Sequence, residues 1–310
     1  MIFPWSAVAV MLAAMILPEL LSGNTPAPQL FTWQSLLLYL FAYGFPVLVI
    51  RETAARLRTG VFGIFIMGLG YGLINEGLFA KTIFRKLEVP LDVFDNYSYA
   101  FGVNWGFAAF ICLWHAVASV MLPIVLSNHL FGRRAFVGHW TYAGTAILVL
   151  LTATWFFLVT TVGKFGDARV VIAAVLWAVI LFCFAVGLTF KRREDDFSER
   201  PLLSVLTGLT GGLAFIFCAF PADQGWPVGL SFGALILASA FYIWAFRAFH
   251  LSATWFAFGW YIQTAALSLT TSDARSPLTL LADLIVLGMV FQTSRTPSLG
   301  AIKYQSRDIE

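Results

Sequence analysis

Long apolar runs separated by short polar loops dominate this chain. A helix needs about 17 to 25 apolar residues to cross a bilayer, and the two-residue alternation of a membrane barrel is absent. Backbone groups in lipid must bond within their own segment, so these runs are expected to be helices. The pattern predicts an all-α fold, a polytopic transmembrane helix bundle of about ten spanning helices. These cover residues 5–22, 34–50, 61–80, 104–127, 141–161, 169–190, 202–221, 227–246, 253–270 and 277–293.

Lys and Arg are unevenly divided between alternate loops. Thirteen lie in one set of loops and the C-terminal tail, and six lie in the other set. Cytoplasmic loops carry the excess of basic residues, so both termini are predicted to be cytoplasmic (N-in/C-in). The chain is predicted to be one integral membrane domain, 1–310. It has six helices in 1–190, four in 202–293 and a cytoplasmic tail at 294–310.

Composition supports a membrane protein rather than a soluble one. The chain is 60% hydrophobic and 11% charged, whereas soluble domains carry about 25% charged residues. The expected partner is therefore membrane lipid, and the expected location is the cell membrane. The net charge of +3 is spread over many loops, which does not indicate a nucleic-acid partner.

Glu76 and His115 are the main candidates for chemistry inside the membrane. Ionisable groups in spanning helices are costly and are often functional. Gly68, Gly72 and Glu76 share one helix face, and small residues at this spacing permit close helix contact. His115 lies on a stripe of small or polar residues in the next helix. Consecutive helices are usually neighbours, so the two side chains are predicted to meet, although their expected depths differ by about 10 Å.

This pair leaves several functions open. A carboxylate and a histidine sharing a water or a metal would suit a membrane-embedded hydrolase, with Asn75 orienting a neighbour. A structural pair in a non-catalytic scaffold is the alternative, and proton or cation sites at Glu76 and Asp283 would suit a transporter. One Glu and one His are too few to specify zinc, so the cofactor stays unknown.

Other buried polar positions have more ordinary interpretations. Glu19 lies near the predicted outer end of the first helix and is expected to cap it or to lie at the interface. Asp283 is deeper, and is expected to be neutral or bonded to Gln263 of the ninth helix. Arg51 and Glu52 close the second helix and are expected to anchor it at the interface.

Three segments resemble a group of uncharacterised bacterial multi-pass membrane proteins over roughly the first 135 residues. These segments are Glu19-Leu-Leu-Ser-Gly-Asn-Thr-Pro, Tyr43-Gly-Phe-Pro-Val-Leu-Val-Ile-Arg-Glu, and Tyr71-Gly-Leu-Ile-Asn-Glu-Gly-Leu followed by Asn104, Trp105 and His115. The resemblance implies a bacterial inner-membrane location and no particular activity.

Asn75-Glu76-Gly77 and His115 also resemble parts of the CAAX-type intramembrane glutamate proteases. The resemblance implies that Glu76 activates water and that His115 is an oxyanion or metal partner. Asn75 stands where those proteins have their first glutamate, and Ile111 stands where they have Phe, four residues before the histidine. No later intramembrane histidine follows in this chain.

Overall fold

The computed structural model describes residues 4–21, 25–87, 94, 98–191, 200–217, 228–249, 251–268 and 277–295. Within these residues the fold is a bundle of long helices joined by short connections. The long helices are α1 (Trp5–Leu21), α2 (Trp33–Leu57), α3 (Val61–Phe79), α4 (Trp105–Phe131), α5 (His139–Thr160), α6 (Ala168–Thr189), α7 (Pro201–Phe217), α8 (Val228–Ala248), α9 (Ala253–Ser268) and α10 (Pro277–Arg295).

Each long helix corresponds to one predicted apolar run, and α2 and α4 extend further at their C-terminal ends than predicted. Six of them, α2 to α6 and α10, are long and apolar enough to cross a membrane. Leu150, Trp155, Phe182 and Leu284 are exposed on the outside of the bundle, where water would be a poor solvent. The all-α polytopic bundle is confirmed, while the count of ten spans and the N-in/C-in orientation stay predictions.

Three of the helices contain π-helical segments, at Leu40–Gly44 in α2, Leu73–Phe79 in α3 and His115–Met121 in α4. π-Helical hydrogen bonding is rare, is found mostly as single turns, and frequently marks functional sites. Glu76 and His115 both lie in such segments. The three irregular segments belong to consecutive helices that pack together.

Glycines bring α3 close to α4. A Cβ on Gly68 would lie 2.7 Å from the Cα of Ala116, and one on Gly72 would lie 2.6 Å from the Cα of Cys112. Real Cβ atoms do not approach a backbone this closely, so each glycine permits a contact that alanine would prevent. The packing face predicted from Gly68 and Gly72 is confirmed.

A second glycine contact joins α7 to α9. A Cβ on Gly208 would lie 2.2 Å from the carbonyl oxygen of Phe256, and one on Gly259 would lie 2.2 Å from that of Val205. Helix α9 also packs against α4 and α10. The division of the chain into six helices and four helices remains a prediction.

The connection between α3 and α4 contains short regular elements. A 3₁₀ turn at Thr82–Phe84 is followed by an antiparallel pair of two-residue strands, β1 (Tyr99–Ala100) and β2 (Val103–Asn104). Of the predicted cytoplasmic connector 191–200 and the predicted tail 294–310, residues 192–199 and 296–310 lie outside the described residues.

Candidate functional site

Glu76 and His115 are in direct contact inside the bundle. Nε2 of His115 lies 2.8 Å from Oε1 of Glu76, and Nδ1 of His115 lies 2.8 Å from Oγ of Ser119. The second carboxylate oxygen of Glu76 accepts a hydrogen bond from the hydroxyl of Thr82. His115 is 2% exposed and Ser119 is 0% exposed. Both nitrogens of the imidazole therefore have a partner in a water-poor environment.

The backbones of Glu76 and His115 lie at different levels along the bundle, as the sequence predicted, and their side chains span the gap. Gly68 lies beside Ala116 and Gly72 beside Cys112, so the backbone of Glu76 is about seven residues, or roughly 10 Å, from the level of His115. Side chains in a helix lean toward its N-terminus. Since α3 and α4 are antiparallel, Glu76 and His115 lean toward each other.

Two tyrosine rings surround the imidazole of His115. Its ring centroid lies 5.8 Å from that of Tyr43 and 5.6 Å from that of Tyr71. The Tyr71 hydroxyl donates to the carbonyl of Ala42 at 3.0 Å and accepts from the side-chain nitrogen of Asn75 at 3.1 Å. Asn75 thus orients Tyr71, whose ring contacts the imidazole, and so acts on His115 indirectly.

Glu19 is a member of this buried cluster, whereas the sequence favoured a capping or interfacial role. It is 5% exposed. Its carboxylate accepts hydrogen bonds from the hydroxyls of Tyr43 and Thr25, the latter at 2.7 Å. The short helix Ala27–Leu30 folds back after α1, and the hydroxyl of Tyr39 lies 2.9 Å from that of Thr25. These contacts remove from solvent a carboxylate that the sequence places near a helix end.

Arg51 and Glu52 are also buried, which corrects the expected interfacial anchor. They are 1% and 0% exposed, respectively. Nη1 of Arg51 donates to Glu52 at 2.7 Å, and Arg56 forms a second ion pair with the same carboxylate. The guanidinium of Arg51 stacks 3.2 Å from the centroid of Phe136. The connection between α4 and α5 folds over these charges and excludes them from water.

Asp283 lies in α10 and is 4% exposed, so it faces protein as predicted. Gln263, its expected partner in α9, is 8% exposed and packs against Gly212 of α7.

A metal is not supported by the arrangement of Glu76 and His115. Their direct contact at 2.8 Å leaves no space for an ion between them. In the part of the chain that the structure describes, no three side chains of His, Cys, Asp or Glu gather as metal ligands would. Cys112 is buried and Cys183 is partly buried, whereas Cys218 lies outside the described residues.

The fold and this buried centre define a polytopic α-helical membrane protein with an acid–histidine pair between consecutive helices. A sequence-family profile described as an uncharacterized membrane protein family matches residues 8–299. The chain belongs to that family. No curated protein and no solved structure gives a significant match. The family match concerns the membrane class and carries no assignment of protease or transport activity.

Sequence reasoning did not assign functional parts to Ser119, Tyr43 and Tyr71. Ser119 was available as a signal, because it follows His115 by four residues on the same face. The tyrosines offered none, since an aromatic residue in an apolar run is ordinarily a packing residue. Their proximity to His115 depends on three helices meeting, which no local pattern encodes.

Proposed function

We propose that this protein is a membrane-embedded hydrolase that uses Ser119, His115 and Glu76 for acyl transfer. The supporting observation is that His115 is hydrogen-bonded on both sides, to a hydroxyl and to a carboxylate. A nucleophile in contact with a base, which is in turn oriented by a third group, is the arrangement that activates a serine.

The hydrogen bonds define the proton positions that this chemistry requires. With Glu76 ionised, the hydrogen of His115 lies on Nε2 and is donated to the carboxylate. Nδ1 is then an acceptor, and the Ser119 hydroxyl donates to it. Glu76 thereby holds the imidazole in the tautomer that can take a proton from serine.

The proposed reaction has two stages. Oγ of Ser119 bonds to a substrate carbonyl carbon while its proton moves to Nδ1 of His115, and the bond from that carbon to the leaving group breaks as His115 protonates the leaving group. The oxygen of a water molecule then bonds to the same carbon and gives a proton to His115. The bond from the carbon to Oγ breaks, the carboxylic acid is released, and His115 returns the proton to Oγ. Glu76 remains a carboxylate throughout and stabilises the imidazolium.

This reaction differs from water activation by Glu76, which the CAAX-type resemblance implies. Both carboxylate oxygens of Glu76 already accept hydrogen bonds, from His115 and Thr82. The imidazole stands between Glu76 and the Ser119 hydroxyl that is bonded to Nδ1. The burial of Ser119 requires the helices around it to separate before a substrate can enter.

A fluorophosphonate with an apolar tail tests the nucleophile, because it reacts covalently with activated serines. We expect the purified protein to be labelled, and Ser119→Ala and His115→Gln to lose the label. Ser127→Ala is the matched control, since Ser127 is buried in the same helix two turns later. Equal labelling of Ser119→Ala and Ser127→Ala would refute the proposal.

Proton transfer is a second candidate function, which the position of Glu19 favours. The Tyr43 hydroxyl donates to Glu19, and the Tyr43 ring packs against His115. Chains of Glu, Tyr and His inside a membrane are typical of proton pathways. In sealed vesicles with an internal pH dye, a proton pathway would be slowed by Tyr43→Phe and little affected by Ser119→Ala. In a hydrolase, Ser119→Ala would abolish fluorophosphonate labelling and Tyr43→Phe would change it little.

A further inference from the structure

A group of basic side chains gathers at the end of the bundle where α3 ends and α4 begins. Lys81 and Arg85 follow α3, and Lys164 lies in the connection between α5 and α6. These two connections are about 80 residues apart in sequence, and tertiary contacts bring them together.

Two hydrogen bonds hold this basic group together. Nζ of Lys81 donates to the hydroxyl of Thr160 at 2.6 Å, four residues before Lys164. Nζ of Lys164 donates to the carbonyl of Phe84, the residue before Arg85. Lys81 thus bonds to the end of α5, and Lys164 bonds to the connection that follows α3. The ammonium of Lys81 also lies 4.3 Å from the centroid of Phe156.

Like charges held this close repel one another. Partial desolvation and the nearby Arg85 and Lys164 lower the pKa of Lys81, and partial desolvation and Arg85 lower that of Lys164. Among the described residues, no acidic side chain forms an ion pair with any of the three. An anionic ligand would remove this repulsion.

Lys81 has a further unusual property. Its φ of +59° lies in the left-handed region, which side chains other than Gly, Asn and Asp rarely adopt. Strained backbone persists where the surrounding structure requires it and is common at binding sites. The strain turns the chain after α3 so that Lys81 reaches Thr160.

We propose that Lys81, Arg85 and Lys164 form a binding site for a phosphate group. Each ammonium has three donors and uses one on a neighbour within the described residues, while the guanidinium offers a planar fork that suits phosphate oxygens. Rings of Phe84, Phe156 and Phe165 lie beside the cations. Aromatic rings next to basic groups suit a phospholipid headgroup at the membrane interface, and free phosphate offers the same chemistry.

The site lies beside the acid–histidine pair. Thr82, whose hydroxyl donates to Glu76, directly follows Lys81. A phosphate bound here would therefore lie on the Glu76 side of the Glu76–His115 pair. This proposal goes beyond the hydrolase and does not require any chemistry at Ser119.

Binding of short-chain lipids to the full-length protein tests this proposal. Protein in phosphatidylcholine nanodiscs would be titrated with dioctanoyl phosphatidylglycerol, dioctanoyl phosphatidylcholine and inorganic phosphate. We expect phosphatidylglycerol to bind more tightly than phosphatidylcholine. Each basic residue in contact with the phosphate is expected to contribute about fivefold, so Lys81→Gln, Arg85→Gln and Lys164→Gln together should weaken binding on the order of 100-fold.

Lys86→Gln is the matched control, because Lys86 is exposed next to Arg85 and should change the affinity less than about twofold. Competition by inorganic phosphate would identify a soluble ligand, and binding of phosphatidylglycerol without competition would identify the lipid. If the triple variant does not fold, lipid binding is measured for the three single variants instead. Equal affinities for Lys86→Gln and the cation variants, or for the two lipids, would overturn the site. Glu76→Gln should retain binding, which separates this proposal from the hydrolase.

Discussion

Two buried acid–base clusters lie at opposite ends of α2 and α3, and they differ in what their protons can do. Glu52 at one end accepts hydrogen bonds from Arg51, Arg56 and the backbone nitrogen of Phe136. Glu76 at the other end accepts from an imidazole and a hydroxyl. Arginine does not release its proton in proteins, whereas histidine gains and loses one near neutral pH.

The consequence is that the Glu52 cluster can hold the fold but cannot transfer protons. Arg51 also donates to the carbonyl of Gly132 at 2.9 Å, and Arg56 to that of Val137 at 2.6 Å. These bonds attach α2 to the connection between α4 and α5. The pair of Glu76 and His115 makes fewer bonds, and each of its partners can exchange a proton.

The largest effect is expected from Glu52→Gln. This change leaves the Arg51 guanidinium buried beside a neutral amide, and breaking a buried ion pair costs about 3–5 kcal/mol. Thermal unfolding in detergent would measure the loss. Arg58→Gln is the control, since Arg58 is exposed six residues later and should change stability by less than about 1 kcal/mol. A Glu52→Gln protein as stable as the Arg58→Gln protein would show that the cluster is not a structural lock.

Gly72→Ala tests whether the close contact of α3 and α4 supports the pair. The added Cβ would lie 2.6 Å from the Cα of Cys112, and relieving such an overlap costs about 1–3 kcal/mol. Because a wider spacing of α3 and α4 would break the contact between Glu76 and His115, we also expect the His115-dependent labelling to fall. Gly233→Ala is the control, with no described atom within 4 Å of the added Cβ. Unfolding temperature and labelling should both be compared, and equal values for the two variants would contradict the contact.

The sequence predicted the helices and the meeting of Glu76 with His115 because both depend on local patterns. Apolar runs define helices wherever the solvent is lipid, and glycines four residues apart define a close-packing face. The apolar pattern predicted the end of α2 incorrectly, because the helix was expected to end at residue 50 and continues to Leu57. The charges of Arg51 and Glu52 indicated the end of a span, but the connection near Phe136 buries them.

Glu19 and Ser119 show the same limit for the site. Whether a carboxylate is at an interface or in a protein interior depends on residues distant in sequence, here Tyr43 for Glu19. The bond between Ser119 and His115 was local enough to be predicted. Its proposed role in activating Ser119 also depends on the contact between Nε2 of His115 and Glu76, which joins two different helices.

A double-mutant cycle measures the coupling between Glu76 and His115. Hydrogen-bonded neighbours are non-additive, so we expect Glu76→Gln, His115→Ala and the double variant to give a coupling of about 1–2 kcal/mol in the free energy of unfolding. Thermal or denaturant unfolding of all four proteins provides the values. Additive losses would show that the two side chains do not interact, and would remove the basis for the proposed hydrolase.

Asp283 is another buried acid, and the smallest effect is expected from Asp283→Asn. Asp283 is 4% exposed in α10. If it serves only as a polar group within the protein, an amide of the same shape can replace it, and stability should change by less than about 1 kcal/mol. Asp283→Leu should cost more, about 1–3 kcal/mol, because the groups around the carboxylate lose their partner. Unfolding temperatures of the two variants measure these changes. A loss of vesicle proton flux in Asp283→Asn with unchanged stability would place Asp283 with Glu76, as an acid whose proton matters, and would favour transport over the hydrolase.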